Sequence, residues 1–165
     1  MELIYTSTVE DYRRFAKKRA KPKRMKATLI FTVICFVIFL IMGIMSQFPA
    51  ETVVLNLFLS VLYGGILFLI LNMKLSHNIN KNIKKIGRSF FDSEKSIILN
   101  EDGIIIKTNI RESKMPYDAI KQLQTDTDFF VIEFKAGDMV YIPTSGIKNR
   151  NIKDDFVFLI KSKTV

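Results

Sequence analysis

The chain has 165 residues, of which 48% are hydrophobic, and it carries 25 basic and 16 acidic side chains. A single cysteine excludes an intrachain disulfide and a cysteine-rich metal site, and a single histidine excludes a multi-histidine metal centre. The net charge of +9 comes from residues 1–26 and 74–91, whereas residues 92–165 are nearly neutral. A nucleic-acid-binding domain would instead carry a basic patch on its folded surface, so no nucleic-acid partner is expected.

The N-terminal segment, residues 1–26, begins with an apolar run at residues 2–7 that could form a short strand. Ser7 or Thr8 can cap a following helix, whose first turn holds two acids at the positive end of the helix dipole. Pro22 is expected to end or kink this helix before the next segment. The pattern predicts an interfacial helix lying at the cytoplasmic headgroups.

Two uncharged apolar runs follow, at residues 27–46 and 53–73. A bilayer core of about 30 Å needs roughly 20 helical residues, so each run is long enough to cross it. A signal peptide would have an apolar region of only about 7 to 15 residues. Buried core helices typically meet a charge after about 10 to 14 residues. Residues 27–73 are therefore predicted to form a transmembrane hairpin.

The distribution of basic residues predicts the orientation of this hairpin. Nine Lys or Arg residues precede the first span and five follow the second, whereas residues 47–52 between them contain none. Because Lys and Arg are retained on the cytoplasmic side, the chain is predicted to be a multi-pass cell-membrane protein with both termini cytoplasmic. The basic flanks could also contact anionic lipid headgroups or an acidic partner.

Within the second span, Asn56, Ser60 and Gly64 lie four residues apart and therefore share one helix face. Small and polar residues of this kind let two helices approach closely, so they are predicted to pack against the first span. Two alternatives are a homo-oligomer formed through this face and a polar solute path. Neither span contains the ionisable residues that usually mark transport paths.

Residues 74–91 are predicted to form a basic amphipathic helix. Ile79, Ile83, Ile86 and Phe90 follow a helical period, and the basic residues fall elsewhere. This helix could continue the span, lie on the membrane, or pack against the following domain. The residues predicted to contact anionic lipid are Lys81, Lys84, Lys85 and Arg88.

From residue 92 to 165 the pattern changes to that of strands, with a turn at Glu101-Asp102-Gly103 where glycine would accept a positive φ. Further strands are predicted at residues 111–115, 120–125, 129–135 and 139–142. Asn151 is expected to cap a final helix with an apolar face.

The sequence predicts a membrane α+β protein, in which a small antiparallel β domain with a C-terminal helix follows the hairpin. So small a domain is expected to need the preceding helix or the N-terminal strand to complete its core.

The order of these parts resembles the YcxB-like family of bacterial membrane proteins. The resemblance is carried by the turn Glu101-Asp102-Gly103-Ile104, the segment Met115-Pro116-Tyr117-Asp118-Ala119-Ile120, the strand ending Tyr141-Ile142-Pro143 and the closing helix. It implies that the C-terminal region has a bacterial pleckstrin-homology-like fold. The family commonly has Trp where Tyr117 stands, and it supplies no catalytic residues.

The residues with reactive side chains do not form a recognisable active site. Cys35 is expected to be a packing residue within a span. His77 is expected to be a polar residue at the membrane boundary, and the alternative is a pH sensor. Asp126, Asp128 and Glu133 could serve as metal ligands or an acid/base pair, but turns routinely carry such residues.

Two serines could serve as nucleophiles, Ser113 beside Lys114 and Ser145 before a glycine. Neither has a base and an orienting group at recognisable spacing. We therefore predict no enzyme activity, no cofactor and no metal.

The sequence leaves three hypotheses for function. The first is a membrane-anchored, non-catalytic module that presents its soluble domain to a protein, a peptide or lipid headgroups in a regulatory or scaffolding role. The second is a small oligomeric transport or channel subunit that assembles through Asn56, Ser60 and Gly64. The third is an enzyme acting on membrane lipids.

Overall fold

A computed structural model describes residues 1–45 and 52–163, so residues 47–51 of the predicted loop at 47–52, and residue 46 at the end of the first predicted span, lie outside the described residues. The chain forms two compact units. The helical unit is Ala16–Asn82, and the β unit combines Met1–Phe15 with Ile83–Val165.

Two long helices contain the predicted spans. Helix α1 covers Val9–Met45 and helix α2 covers Thr52–Ile86. Both are long and apolar enough to cross a membrane by length and composition. Their most apolar windows are 0% and 11% buried, whereas the core helices of soluble proteins bury most of such a stretch.

The prediction that Pro22 could end the first helix is wrong, because α1 continues through it. Proline has no backbone N–H and leaves a carbonyl of the preceding turn without its usual donor. That carbonyl belongs to Lys18, and the Arg24 guanidinium donates to two other carbonyls of the same stretch, those of Ala20 and Lys17, each at 3.4 Å. The N-terminal basic segment is therefore the first part of α1 and not a separate interfacial helix.

The β unit contains seven strands in two antiparallel sheets. The four-stranded sheet has the order β1-β2-β3-β4 and the other has the order β5-β6-β7. The strands are β1 (Glu2–Thr6), β2 (Glu94–Leu99), β3 (Gly103–Lys107), β4 (Glu112–Pro116), β5 (Ile120–Thr125), β6 (Phe129–Phe134) and β7 (Met139–Pro143). Two long apolar helices followed by small antiparallel sheets confirm the predicted layout.

The N-terminal strand completes the first sheet, as the small size of the C-terminal region predicted. Strand β1 pairs with β2 from Glu2 opposite Ile98 to Thr6 opposite Glu94. Its alternate residues Leu3 and Tyr5 are buried in the core. Gly146 approaches the backbone of Thr6 so closely that a Cβ there would overlap the Thr6 carbonyl oxygen.

The last helix, α4 (Lys153–Lys163), packs against the core shared by both sheets. Phe156 and Ile160 are fully buried, and the Phe156 ring meets Phe130 edge to face at 6.3 Å. Asn151 does not precede the helix as a cap, because it lies inside a short 3₁₀ turn, Arg150–Ile152. The predicted apolar face of the helix is correct, but the helix begins one residue later than a cap at Asn151 would place it.

The structure differs from the sequence prediction at two glycines, Gly103 and Gly87. Gly103 was expected to need a positive φ, but the glycines with positive φ in the described residues are Gly87 and Gly137, both at 90°. Gly103 is instead required by crowding, since a Cβ would overlap the Met115 carbonyl oxygen and lie 2.9 Å from Pro116 Cα. Gly87 ends α2 before a single turn, α3 (Arg88–Phe91). Of the predicted apolar face, Ile79 and Ile83 are buried, but Ile86 is exposed and Phe90 is only half-buried, because after Gly87 it is Phe91 that enters the core.

Candidate functional site

In the helical unit, the face formed by Asn56, Ser60 and Gly64 lies against α1. The Asn56 side-chain nitrogen donates to the Phe39 carbonyl oxygen at 3.3 Å. Ser60 is fully buried and donates to the Asn56 carbonyl oxygen of its own helix at 2.7 Å. A Cβ on Gly64 would overlap Thr32 Oγ1 and lie 3.3 Å from Thr32 Cβ. This face is thus occupied by a helix of the same chain.

A second link between the helices was not found from the sequence. The Arg24 guanidinium donates to the side-chain oxygen of Asn72 and lies 6.0 Å from the centre of the Phe68 ring. In the sequence, Arg24 is one of the nine basic residues that predict the orientation. Phe68 and Asn72 lie four residues apart on α2 and therefore share one helix face. This spacing is the signal that could have identified the face of α2 that contacts Arg24.

The basic residues predicted to contact lipid all lie on the last turns of α2 or just beyond it. Lys81, Lys84, Lys85 and Arg88 are exposed, and none forms an ion pair within the part of the chain that the structure describes. Ile83, between them, is buried, which places the four cations on the outer side of the helix. The structure brings them together as one exposed basic segment.

The β unit also buries a lysine that no local sequence pattern singles out. Lys95 is only 3% exposed, and its Nζ donates to the Ser7 hydroxyl oxygen at 2.8 Å. Longer hydrogen bonds reach the carbonyl oxygens of Phe91 at 3.4 Å and Ser93 at 3.5 Å. The Phe90 ring centre lies 4.6 Å from the ammonium. Burial lowers the pKa of Lys95 to about 8, although the Asp92 carboxylate opposes this shift.

Ser7 is available to Lys95 because the neighbouring Thr8 caps α1. Thr8 Oγ1 accepts a hydrogen bond from the Asp11 backbone N–H at 3.1 Å, and the Thr8 N–H donates to the Asp11 carboxylate at 2.9 Å. This reciprocal pair satisfies the start of the helix. The alternation of strand β1 turns Ser7 inward, where it is 2% exposed.

Aromatic residues surround the same region. The Tyr141 ring stacks on Phe15 with centres 4.8 Å apart, and Tyr12 lies 5.4 Å from Phe91. Burial raises the pKa of Tyr141 to about 12, with a small opposing effect from the nearby Ser7 hydroxyl. The Tyr141 hydroxyl is buried and has no hydrogen-bond partner among the described residues. Burial also raises the pKa of Tyr5 well above its usual value.

A serine that accepts a hydrogen bond from a lysine of lowered pKa has the composition of a nucleophile and its base. A catalytic pair must also reach its substrate. Ser7 and Lys95 are 2% and 3% exposed, so this pair is enclosed and links the ends of two strands to α3. We interpret it as a structural contact.

The other residues considered for chemistry lie in ordinary structural surroundings. Glu133 accepts hydrogen bonds from Lys121 at 3.2 Å and Gln122 at 2.9 Å. Ser113 accepts one from Arg111 at 2.6 Å. No group of three potential metal ligands occurs among the residues described. Asp126, Asp128, Lys114, Ser145, Cys35 and His77 are not brought into a shared reactive cluster by the described contacts.

The strongest candidate for a binding site is an apolar groove of about 460 Å³ in the β unit. We call it the β4 groove. Its floor includes Ile106, Phe134 and Val140, and its edge includes Met139 and Arg111. The size and the apolar lining with a few polar groups are those of ligand sites in proteins. The complete lining is Ile86, Phe90, Ile106, Thr108, Ile110, Arg111, Ser113, Met115, Phe134, Asp138, Met139 and Val140.

Comparison with protein families matches residues 99–157 to the family described as YcxB-like protein. These residues form a YcxB-like domain. The resemblance inferred from the sequence is thereby confirmed for this region, which runs from the end of β2 into α4. The YcxB-like domain supplies most of the lining of the β4 groove. Comparison with curated proteins gave no match.

Proposed function

We propose that the chain is a two-span cell-membrane protein that holds a non-catalytic binding module at the cytoplasmic face. The pairing of β1 with β2 carries this proposal. Strand β1 precedes the first apolar helix and β2 follows the second, and two strands can pair only on the same side of a bilayer. Their pairing therefore supports an even number of crossings. The excess of Lys and Arg beside the spans supports the cytoplasmic side.

The module that we propose is pleckstrin-homology-like. Support comes from its sheets of four and three antiparallel strands and from the C-terminal helix packed on their shared core. The YcxB-like match covers most of these elements. The regulatory or scaffolding role is part of this proposal, and it is supported by the open β4 groove and by the enclosure of the Ser7–Lys95 pair.

The basic residues at the end of α2 lie at different distances from the predicted span, and this difference suggests different partners for them. Since α2 continues past Met73 without a break, Lys81 lies about 12 Å along the helix axis from the end of the predicted span, and Lys85 about 18 Å. Electrostatic attraction is screened over about 8 Å at physiological ionic strength. In a helix perpendicular to the bilayer, Lys81 is therefore best placed for anionic lipid. Lys84, Lys85 and Arg88 are better placed for an acidic protein partner.

The transport hypothesis receives no comparable support. It depended on the polar face of α2 being free to assemble an oligomer, and that face packs on α1.

Topology is tested by labelling single cysteines in the full chain. In a Cys35→Ser background, Ser162→Cys is treated with a membrane-impermeant maleimide in intact cells and in inverted vesicles. We expect labelling in inverted vesicles only. Labelling from outside intact cells would overturn the proposed topology.

Binding is tested in living cells by a photo-crosslinking residue placed at Ile110, which is 66% exposed at the edge of the β4 groove. The matched control is Gln124, which is exposed on β5 and does not line the groove. We expect discrete protein adducts at position 110 and none at position 124. Equal adducts at both positions, or none at either, would contradict the binding role.

A further inference from the structure

We propose that the β4 groove binds an extended peptide segment in which apolar and acidic residues alternate, and that this segment adds to β4 as a new strand. The inference rests on the proposed binding role and names the class of partner and the mode of recognition.

Strand β4 is an edge of the four-stranded sheet and, among the described strands, it pairs only with β3. The outer side of an edge strand offers backbone N–H and C=O groups to another chain. Peptides that bind in this way obtain affinity from backbone hydrogen bonds and specificity from pockets for alternate side chains.

The β4 groove lies where those alternate side chains would point. Ser113 and Met115 line it, and their partners on β3 are Ile106 and Ile104. The side chains between and beside them, Lys114 and Glu112, are exposed. Because successive side chains alternate between the two faces of a sheet, every second residue of an added strand would point to the face of Ser113 and Met115. These inward residues meet an apolar floor, which requires apolar side chains.

The charges at the groove favour acidic residues at the other positions. Arg111 lines the groove, and Lys85 and Arg88 flank the lining residue Ile86. None of the three forms an ion pair with another described residue. By contrast, Lys107 pairs with Glu112 at 3.6 Å and Lys114 with Asp102 at 3.8 Å. Asp138 is the one acid in the lining. The excess of unpaired positive charge would steer an acidic segment to this site.

The test is a selection from displayed peptides of about ten residues, a length that covers one strand. The target is the full chain in nanodiscs of phosphatidylcholine, with empty nanodiscs used to remove lipid binders. We expect enrichment of sequences that alternate apolar and acidic residues. No enrichment over empty nanodiscs, or enrichment of basic sequences, would overturn the proposal.

Two matched pairs of variants test the site with the best selected peptide. Met139 is exposed at the groove edge, so Met139→Glu should weaken binding about tenfold or more by repulsion of an acidic ligand, and Met139→Gln should weaken it less. Arg111→Gln should also weaken binding, whereas Arg111→Lys should retain most of it. Equal affinity for all four variants would place the peptide elsewhere and overturn the assignment.

Backbone methylation separates strand addition from simple insertion of side chains. In an added strand, only alternate N–H groups of the peptide face β4. Methylation of one alternating set of peptide nitrogens should therefore abolish binding, and methylation of the other set should not. Equal effects of the two sets would overturn the strand-addition mode.

Two other occupants would be recognised by mass spectrometry of the intact protein released from nanodiscs. A retained lipid that is lost in Met139→Glu, or a dimer that is lost in Arg111→Gln, would overturn the peptide proposal. Neither result would alter the cysteine labelling, so failure of this inference is distinguishable from failure of the proposed topology.

Discussion

The Lys95 ammonium lies 2.8 Å from the Ser7 hydroxyl oxygen inside the β unit, where no carboxylate hydrogen-bonds to it. The two residues are 88 positions apart in the chain, so the contact joins the end of the N-terminal strand to the start of β2. Burial without a paired carboxylate disfavours the charged form, which explains why the pKa falls from 10.5 to about 8. This contact makes the stability of the β unit depend on pH.

We expect the free energy of unfolding to rise as the pH increases from about 8 to 10. In that range the unfolded lysine still binds its proton while the folded one loses it, so increasing pH favours the folded state. Above about pH 10 the sign reverses, because the unfolded tyrosines ionise before the buried Tyr141, whose pKa is about 12. Thermal unfolding of the full chain in detergent, followed by tyrosine circular dichroism, should show a maximum of stability near pH 10.

The control is Lys95→Met, in which the rise in stability between pH 8 and 10 should disappear and the fall above pH 10 should remain. An unchanged rise in this variant would assign it to another group.

The close approach at Gly64 predicts a steric effect on the two long helices. Gly64→Ala places a Cβ against Thr32, at a cost of about 1 to 3 kcal/mol for overpacking. The neighbouring Gly65→Ala is the control, because a Cβ there meets no atom within 4 Å. Phe39 and Tyr63 have ring centres 6.0 Å apart, so cysteines at both positions in a Cys35→Ser background can report the contact by disulfide formation. Gly64→Ala should slow this cross-link and Gly65→Ala should not. Equal rates would show that the helices tolerate the added methyl group.

The contact between Gly146 and the Thr6 carbonyl predicts that the N-terminal strand is sensitive to a single methyl group. Gly146→Ala should lower the free energy of unfolding of the β unit by more than about 2 kcal/mol, because the obstructing atoms belong to backbone and cannot rotate away. Ser145→Ala, at the exposed neighbouring position, should change it by less than about 0.5 kcal/mol. Hydrogen exchange of the β1 amides measures both effects. Full protection of β1 in Gly146→Ala would contradict the crowding argument.

The continuity of α2 predicts different lipid effects for its basic residues. Lys81→Gln should reduce the preference for anionic over zwitterionic lipid, because each basic residue near the surface contributes about 1 kcal/mol. The double variant Lys84→Gln and Lys85→Gln should have a smaller effect, since both residues lie farther along the helix. Lipid retention measured by native mass spectrometry from mixed nanodiscs compares the variants. A larger effect of the double variant would indicate that the last turns of α2 reach the headgroups.

Local patterns predicted much of this fold because they depend on neighbouring residues. The lengths of the apolar runs identified the two helices, and the short apolar run at residues 129–134 identified a strand, in which five of the six side chains are buried. The spacing of Asn56, Ser60 and Gly64 identified one helix face. Each of these features is encoded within a few turns or one strand.

Features that depend on residues distant in the chain could not be predicted from the sequence. Nothing near Lys95 indicates that its ammonium reaches Ser7, because the contact arises only when β1 pairs with β2. The same reason explains Gly103, whose constraint comes from the Met115 backbone and not from its own φ. The β4 groove is likewise assembled from segments between Ile86 and Val140. Its separate parts have no common motif.

The position of β1 before the two long helices also imposes an order of biogenesis. Its pairing partner β2 is synthesised after both helices, on the order of ten seconds later at about 5 to 20 residues per second. During this interval Leu3 and Tyr5 have no sheet to bury them. The four-stranded sheet can therefore be completed only after both helices have been synthesised. Protection of the β1 amides would consequently report that synthesis has passed both helices.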